Sequence, residues 1–175
     1  MDALNTHLAH YGAYHLDRRN VATHFVGIPL IVASIWLLLA RTPAFTVLDT
    51  PLTAAHVATA VAMVFYLRLH LGLALAMGAF FAAMHVLALQ FSGIELRSWQ
   101  LGCVAVFVVG WVFQFVGHYY EGKKPAFVDD LIGLFIGPMF VTVEALFAMG
   151  LRQDLLRAIE ARVGPVRRRD LRAAL

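Results

Sequence analysis

The stretch VATHFVGIPLIVASIWLLLA, Val21 to Ala40, carries no formal charge. It spans about 20 residues, the length a helix needs to cross the hydrocarbon core of a bilayer. Arg41-Thr42-Pro43 ends it, and working outward the chain repeats the pattern. Further apolar runs extend from Leu52 to Leu67, Leu71 to Phe91, Trp99 to Tyr120 and Leu131 to Leu151. The breaks between them are Arg68-Leu69-His70, the polar turn Ser92 to Ser98, and the loop that opens Glu121-Gly122-Lys123-Lys124-Pro125. Lipid cannot satisfy open backbone groups, so such runs must close their hydrogen bonds as helices. The period-two alternation of a membrane barrel is absent. The expected fold class is all-α, a polytopic membrane helix bundle.

Composition agrees. Of 175 residues, 61% are hydrophobic and 14% charged, against about 45–50% and 25% in soluble domains. With a mean hydropathy of +0.73, the chain cannot furnish the polar shell a soluble domain of this size requires. The net charge is +3 and the pI about 9.4. The basic residues flank apolar runs or crowd the tail, which points to topology and anionic lipid rather than nucleic acid. Cys103 is the single cysteine, so no internal disulfide, thiolate metal site or Cys-x-x-Cys pair exists. The first twenty residues carry Asp2, Asp17 and several histidines, and no signal peptide is expected.

Arg18, Arg19, Arg68, Lys123 and Lys124 fall on one side if each run spans, and only Arg41 and Arg97, with Asp49 and Glu95, on the other. The positive-inside rule makes the first group cytoplasmic. Arg152, Arg157, Arg162, Arg167, Arg168, Arg169 and Arg172 of the tail belong there too, which five full spans would forbid. The fifth run contains Gly137-Pro138 and Glu144, and proline breaks helices. The expectation is four spans plus a broken or re-entrant fifth segment, in a single membrane domain 1–175. Within it, 1–20 is a cytoplasmic His-rich segment, 21–151 the bundle and 152–175 a basic tail. Both termini are expected in the cytoplasm, with the protein in a bacterial inner membrane. From Leu151 to Arg162 the tail is amphipathic, with Leu151, Leu155, Leu156 and Ile159 on one face, and is expected to rest on the membrane surface.

The eight histidines say more by placement than by number. On this topology His7, His10, His15, His24, His70 and His118 gather at the cytoplasmic face, and only His56 and His85 do not. Such convergence points to a metal site. His15 and His24 are nine apart and would face opposite sides of one helix, so the chain must turn between them. Asp17-Arg18-Arg19-Asn20 is the expected break, with Asn20 suited to cap the first span. His118 and Glu121 are three apart and can face one way. Gln114 lies one turn before His118, where an interhelical hydrogen bond competes with a role at the metal. An intramembrane Glu144 is costly unless it has a function. N and O donors suit Fe, Zn or Mn and exclude an iron–sulfur cluster. No Walker motif, G-x-G-x-x-G or placeable Ser-His-Asp set occurs. Trp99, Trp111, Tyr119 and Tyr120 read as interface anchors.

Two strings carry a resemblance. One is Tyr14-His15-Leu16-Asp17-Arg18-Arg19-Asn20-Val21-Ala22-Thr23-His24, followed by Gly27-Ile28-Pro29. The other is Gln114-Phe115-Val116-Gly117-His118, then Glu121-Gly122-Lys123-Lys124-Pro125-Ala126 and later Gly137-Pro138. Together they resemble the membrane-embedded 2-hydroxy fatty acid dioxygenase family of the yeast phytosphingosine α-oxidation type, from about Tyr11 to Leu151. The resemblance implies an Fe(2+)-dependent oxidoreductase that shortens 2-hydroxy fatty acids by one carbon with O2, releasing CO2. It implies His15, His24 and His118 as metal ligands and Glu121 as a fourth ligand or nearby base. Asn20, Gln114 and Glu144 would support them, with His70 as a reserve ligand. The competing readings are a b-type haem carrier using His70 and His85, fifteen apart, with His56, and a proton-coupled transporter using Glu144 and His85.

Overall fold

The structure is a computed structural model that describes residues 3–129 and 132–170. Asp2, Leu131, where the fifth apolar run begins, and Arg172 of the tail lie outside the described residues. The helices are α1 (Ala3–Gly12), α2 (Arg18–Ala40), α3 (Ala54–Leu69), α4 (Leu71–Gln90), α5 (Leu96–Glu121), α6 (Gly133–Ala148) and α7 (Gln153–Val163). A 3-10 turn covers Ala126–Val128, and β1 (Pro43–Val47) pairs antiparallel with β2 (Thr50–Thr53). The chain divides into two compact units, one holding residues up to Pro29 and from Gly110 on, the other Leu30–Val109. Both boundaries fall inside helices, α2 and α5.

The all-helical expectation holds apart from the β1–β2 hairpin. Its two-residue turn places Leu48 and Asp49 at φ 46 and 61, the left-handed pair a tight hairpin requires. Leu52, read as the start of the second helical run, lies in β2, and the helix begins at Ala54. Among the described residues three helices, α2, α4 and α5, are long and apolar enough to cross a membrane. Their outward faces are greasy: Leu75, Leu101 and Phe115 are each more than half exposed. With 16 residues, α3 is about 24 Å long at 1.5 Å per residue, short of the roughly 30 Å hydrocarbon core.

The fifth run differs in detail from expectation. Pro138 lies inside α6 without ending it. The break comes later, where α6 and α7 meet at 115°. Gly150 and Arg152 there both take left-handed backbone angles, φ 77 and 52. The face of α7 carrying Leu155 and Ile159 is buried, and α7 packs on α1. Protein therefore covers the Leu155 and Ile159 part of the apolar stripe that was expected to lie on the membrane surface, while Leu151 stays exposed.

In the second unit, α3 packs along α4. The Trp36 ring stacks on Phe81 at 4.3 Å, and its Nε1 donates to Thr59 Oγ1 at 2.8 Å. In the first unit, α1 rests on α6 and α7, with Leu4 and Leu8 fully buried. There α2 and α5 approach through glycines. A Cβ on Gly27 would lie 2.8 Å from the Gly110 carbonyl oxygen. One on Gly117 would collide with Asn20 Oδ1 and Thr23 Oγ1. Backbones meet closely where side chains are absent, and here that contact sets α2 beside α5 next to His24 and His118.

Candidate metal centre

The turn after α1 delivers His15. The backbone N–H groups of Tyr14 and His15 donate to Tyr11 and Gly12 carbonyls at 3.1 and 2.8 Å, folding the chain back before α2 starts. That turn precedes the expected break, because Arg18, Arg19 and Asn20 are already helical. Asp17, not Asn20, caps α2: its Oδ1 accepts from the Arg19 N–H at 2.8 Å, which satisfies an otherwise orphaned donor of the first turn. Asn20 is freed for other work.

His15 and His24, nine residues apart, now face each other with Nε2 to Nε2 at 3.0 Å. His118, in the last turn of α5, brings its ring centroid to 5.2 Å from His15 and 5.0 Å from His24. One nitrogen from each of the three lies within 4.8 Å of the others, and all three side chains are buried. Tyr11 stacks on His15 at 4.2 Å with an interplanar angle of 9°.

Ring orientation is fixed by backbone carbonyls. His15 Nδ1 lies 2.7 Å from the Tyr11 carbonyl oxygen, and His24 Nδ1 lies 2.9 Å from that of Asn20. A carbonyl can only accept, so both Nδ1 atoms carry the proton. Both Nε2 atoms then present lone pairs to each other across 3.0 Å, an arrangement that repels unless a cation lies between. Burial first, then the adjacent His24 ring, holds the His15 pKa well below the ordinary imidazole range, so the ring is neutral and ready to ligate. His118 Nδ1 is likewise buried with no protein partner. Two nitrogens 3.0 Å apart suit neighbouring ligands of one ion, each about 2.1 Å from it. The residues present fit a divalent metal held by three imidazoles.

Glu121 faces the turn rather than joining the three rings. Its Oε1 accepts from the Leu16 N–H at 3.1 Å, and its Oε2 from the Asp17 N–H at 2.7 Å and Asn20 Nδ2 at 3.1 Å. Asn20 Nδ2 also donates to the Tyr14 carbonyl at 3.0 Å. Gln114 is buried with Nε2 unpartnered, as is Asn20 Oδ1. Glu144 is half-buried on α6 and makes no hydrogen bond to the three rings among the described residues. His70 belongs to the other unit, where its Nδ1 accepts from the Leu73 N–H at 3.3 Å at the start of α4. His7 and His10 sit on α1 outside the triad, so three of the six histidines expected to gather do so.

Comparison with known proteins follows the same residues. The chain matches the family model described as 2-hydroxy-palmitic acid dioxygenase Mpo1-like over residues 1–149. The chain belongs to the Mpo1-like family. It is 32% identical over 171 residues to the 2-hydroxy-palmitic acid dioxygenase MPO1 of Saccharomyces cerevisiae, covering 97% of this chain and 94% of that relative. No solved structure matches it. His15, His24, His118 and the groups that hold them fall inside the region matched to the Mpo1-like family, whereas the tail beyond residue 149 does not.

Sequence reasoning passed over Asp17, which is buried and bonded on every side. Its carboxylate accepts from Arg19 Nε at 3.0 Å and Nη2 at 2.8 Å and from the Arg169 N–H at 2.8 Å. Burial alone would raise its pKa, but the Arg19 bonds and the backbone donors outweigh it and bring the value down to about 2. The available signal was an acid two residues after His15, followed by two arginines. Nothing in the placement of Tyr11 or Gly117 announces their roles, and Arg169 reads in the sequence only as one of the tail's basic topology residues.

Proposed function

We propose that this protein is an iron(II)-dependent dioxygenase that converts a 2-hydroxy fatty acid, O2 as co-substrate, to the fatty acid one carbon shorter, with CO2 and water. The balance closes without an outside reductant: the 2-hydroxy acid and O2 together supply every atom of the shorter acid, CO2 and H2O. The observation that carries the reading is the mutual approach of His15 and His24 through unprotonated Nε2 atoms beside His118, in a chain of this family. His15, His24 and His118 would hold the iron(II), which would supply the one-electron chemistry that O2 needs.

The chain's own residues do the rest. The Tyr11 and Asn20 carbonyls fix the tautomers and aim the Nε2 atoms inward, the outer support on which ligand affinity depends. Glu121 spends its charge on the Leu16 and Asp17 amides and on Asn20, which pins the His15 turn to the end of α5. Tyr11 and Phe140 pack against the His15 ring and keep water from that side. Glu144 and Gln114 are left as supporting residues.

The same reading keeps the chain as one membrane domain with α2, α4 and α5 spanning, the shorter α3 crossing where the bilayer thins to meet it, and the bent α6–α7 pair returning to the side it left. The tail's hydrogen bonds to Leu16 and Arg18 support a C-terminus on the N-terminal side of the bilayer. The Lys and Arg distribution favours the cytoplasm for that side. Metal analysis of tag-free protein, joined to O2 uptake on 2-hydroxypalmitate, tests the function. About one iron per chain and stoichiometric release of CO2 and pentadecanoate are expected. Iron-loaded protein that consumes no O2 with any 2-hydroxy acid would end the proposal.

A further inference from the structure

After α7 the chain runs Pro165-Val166-Arg167-Arg168-Arg169 back across the turn that carries His15. The Arg167 N–H donates to the Leu16 carbonyl at 2.8 Å, and the Arg18 N–H donates to the Arg167 carbonyl at 3.0 Å, a parallel bridge about Asp17. Two residues on, the Arg169 N–H donates to Asp17 Oδ2 at 2.8 Å. Its side chain turns to the other wall, where Nη1 donates to the Glu121 carbonyl at 2.7 Å. Arg19 Nη2 closes the circuit on the Arg169 carbonyl at 2.9 Å. Gly122 stands at φ +67, and a Cβ there would collide with the Arg169 guanidinium.

We propose that Pro165–Arg169 is a strap that holds the His15 turn in its metal-binding position, with Arg169 the positioning residue that ties this turn to the end of α5. The inference rests on the metal reading above. Every bond the strap makes falls on Leu16–Arg19, between the ligands His15 and His24, or on Glu121, three residues after His118. Without the strap, the hydrogen bonds from the Leu16 and Asp17 amides to the Glu121 carboxylate are what ties the turn to α5 among the described residues. The strap is delivered by α7, whose buried Leu155 and Ile159 anchor it. It lies outside the residues that the family model covers. Beneath it a groove of about 590 Å³ is lined by Leu16, Glu121, Lys123, Arg167 and Arg169 among others. Arg167 and Arg169 are exposed, so their side chains can be trimmed without opening a hole in the packed interior.

The test uses tag-free full-length protein in detergent, a chain ending at Gly164, and the variants Arg169→Ala and Arg169→Lys. Co(II) affinity is read from its d–d absorption, and amide exchange over residues 14–20 is measured in the metal-free protein. The truncated chain should bind Co(II) about 10- to 100-fold more weakly, with faster exchange at Arg18. Arg169→Ala should lose about tenfold, and Arg169→Lys, which still offers a donor to the Glu121 carbonyl, should regain most of it. A fold-only role would lower melting temperature alike in both variants and leave Co(II) affinity alone. Unchanged Co(II) affinity in the folded truncated chain overturns the proposal. If that chain does not fold, unchanged affinity in Arg169→Ala does so instead. Loss of the oxygenase reading would appear as iron-loaded wild type without O2 uptake, a result that leaves the Co(II) comparison standing.

Discussion

Two histidine clusters in this molecule differ in one proton. In the first unit, His15 and His24 each donate Nδ1–H to a carbonyl, so their facing Nε2 atoms are both lone pairs. In the second unit, the His56 and His85 rings meet edge to face at 4.7 Å, a similar approach. There the Thr53 N–H donates to His56 Nδ1 at 3.1 Å, which leaves the proton of that ring on Nε2. His85 donates Nδ1–H to the Phe81 carbonyl at 2.9 Å, leaving its Nε2 as an acceptor. One ring carries its proton on Nε2 and the other its lone pair, so this pair does not set two lone pairs against each other. What the backbone presents to Nδ1, and not the count of histidines, separates a cluster ready to take a cation from a capped helix end.

The comparison breaks first by deletion. His15→Ala, His24→Ala and His118→Ala should each reduce bound metal from one equivalent to background by elemental analysis. His56→Ala and His85→Ala should leave it whole. Metal lost equally from both clusters would erase the distinction.

Next in size is Gly117→Ala. The added methyl would collide with Asn20 and Thr23 and push the His118 end of α5 away from α2. Misplacement by about 1 Å costs on the order of a hundredfold in rate, so turnover should fall by that factor while helix content by circular dichroism stays level. Activity within a few-fold of wild type would show that the triad tolerates the shift.

A smaller effect belongs to Asp17. Its folded pKa of about 2 lies below the ordinary 3.8. The carboxylate therefore stabilises the fold fully above about pH 4, and that contribution fades as pH falls from about 4 through 2. The difference corresponds to about 2 kcal/mol. Asp17→Asn should melt earlier than wild type at pH 7, and the gap should close near pH 2 in thermal scans. A gap that persists at low pH would mean the charge is not its source.

The smallest change is expected at the control cluster. His56→Ala removes the acceptor for the Thr53 N–H at the start of α3 and should cost about 1 kcal/mol, as loss of a helix cap does. Iron content and turnover should not move. A loss of metal in this variant would give the second pair a role that its tautomers argue against.

Much of this was legible in the chain. The apolar runs marked α2, α4 and α5 to within three residues, because bilayer length and backbone satisfaction leave few choices. His15, His24 and His118 stood out by spacing and by the strings around them. The β1–β2 hairpin was hidden because Leu48-Asp49 lacks the Asn-Gly or Asp-Gly signature of its turn. Pro138 misled, since a helix within a bundle can absorb one missing hydrogen bond, and the bend was set instead by left-handed angles at Gly150 and Arg152.

The sequence by itself determined that this chain is helical, greasy on its outside and armed with imidazoles at the ends of its helices. Those properties follow from local composition and from the cost of burying an unbonded backbone. Only the tertiary structure decided which three rings meet, which nitrogen of each is left bare, and that Arg169 reaches Asp17 across 152 positions. Tautomer and long-range contact depend on where a distant carbonyl or N–H comes to rest, and no residue carries that information alone.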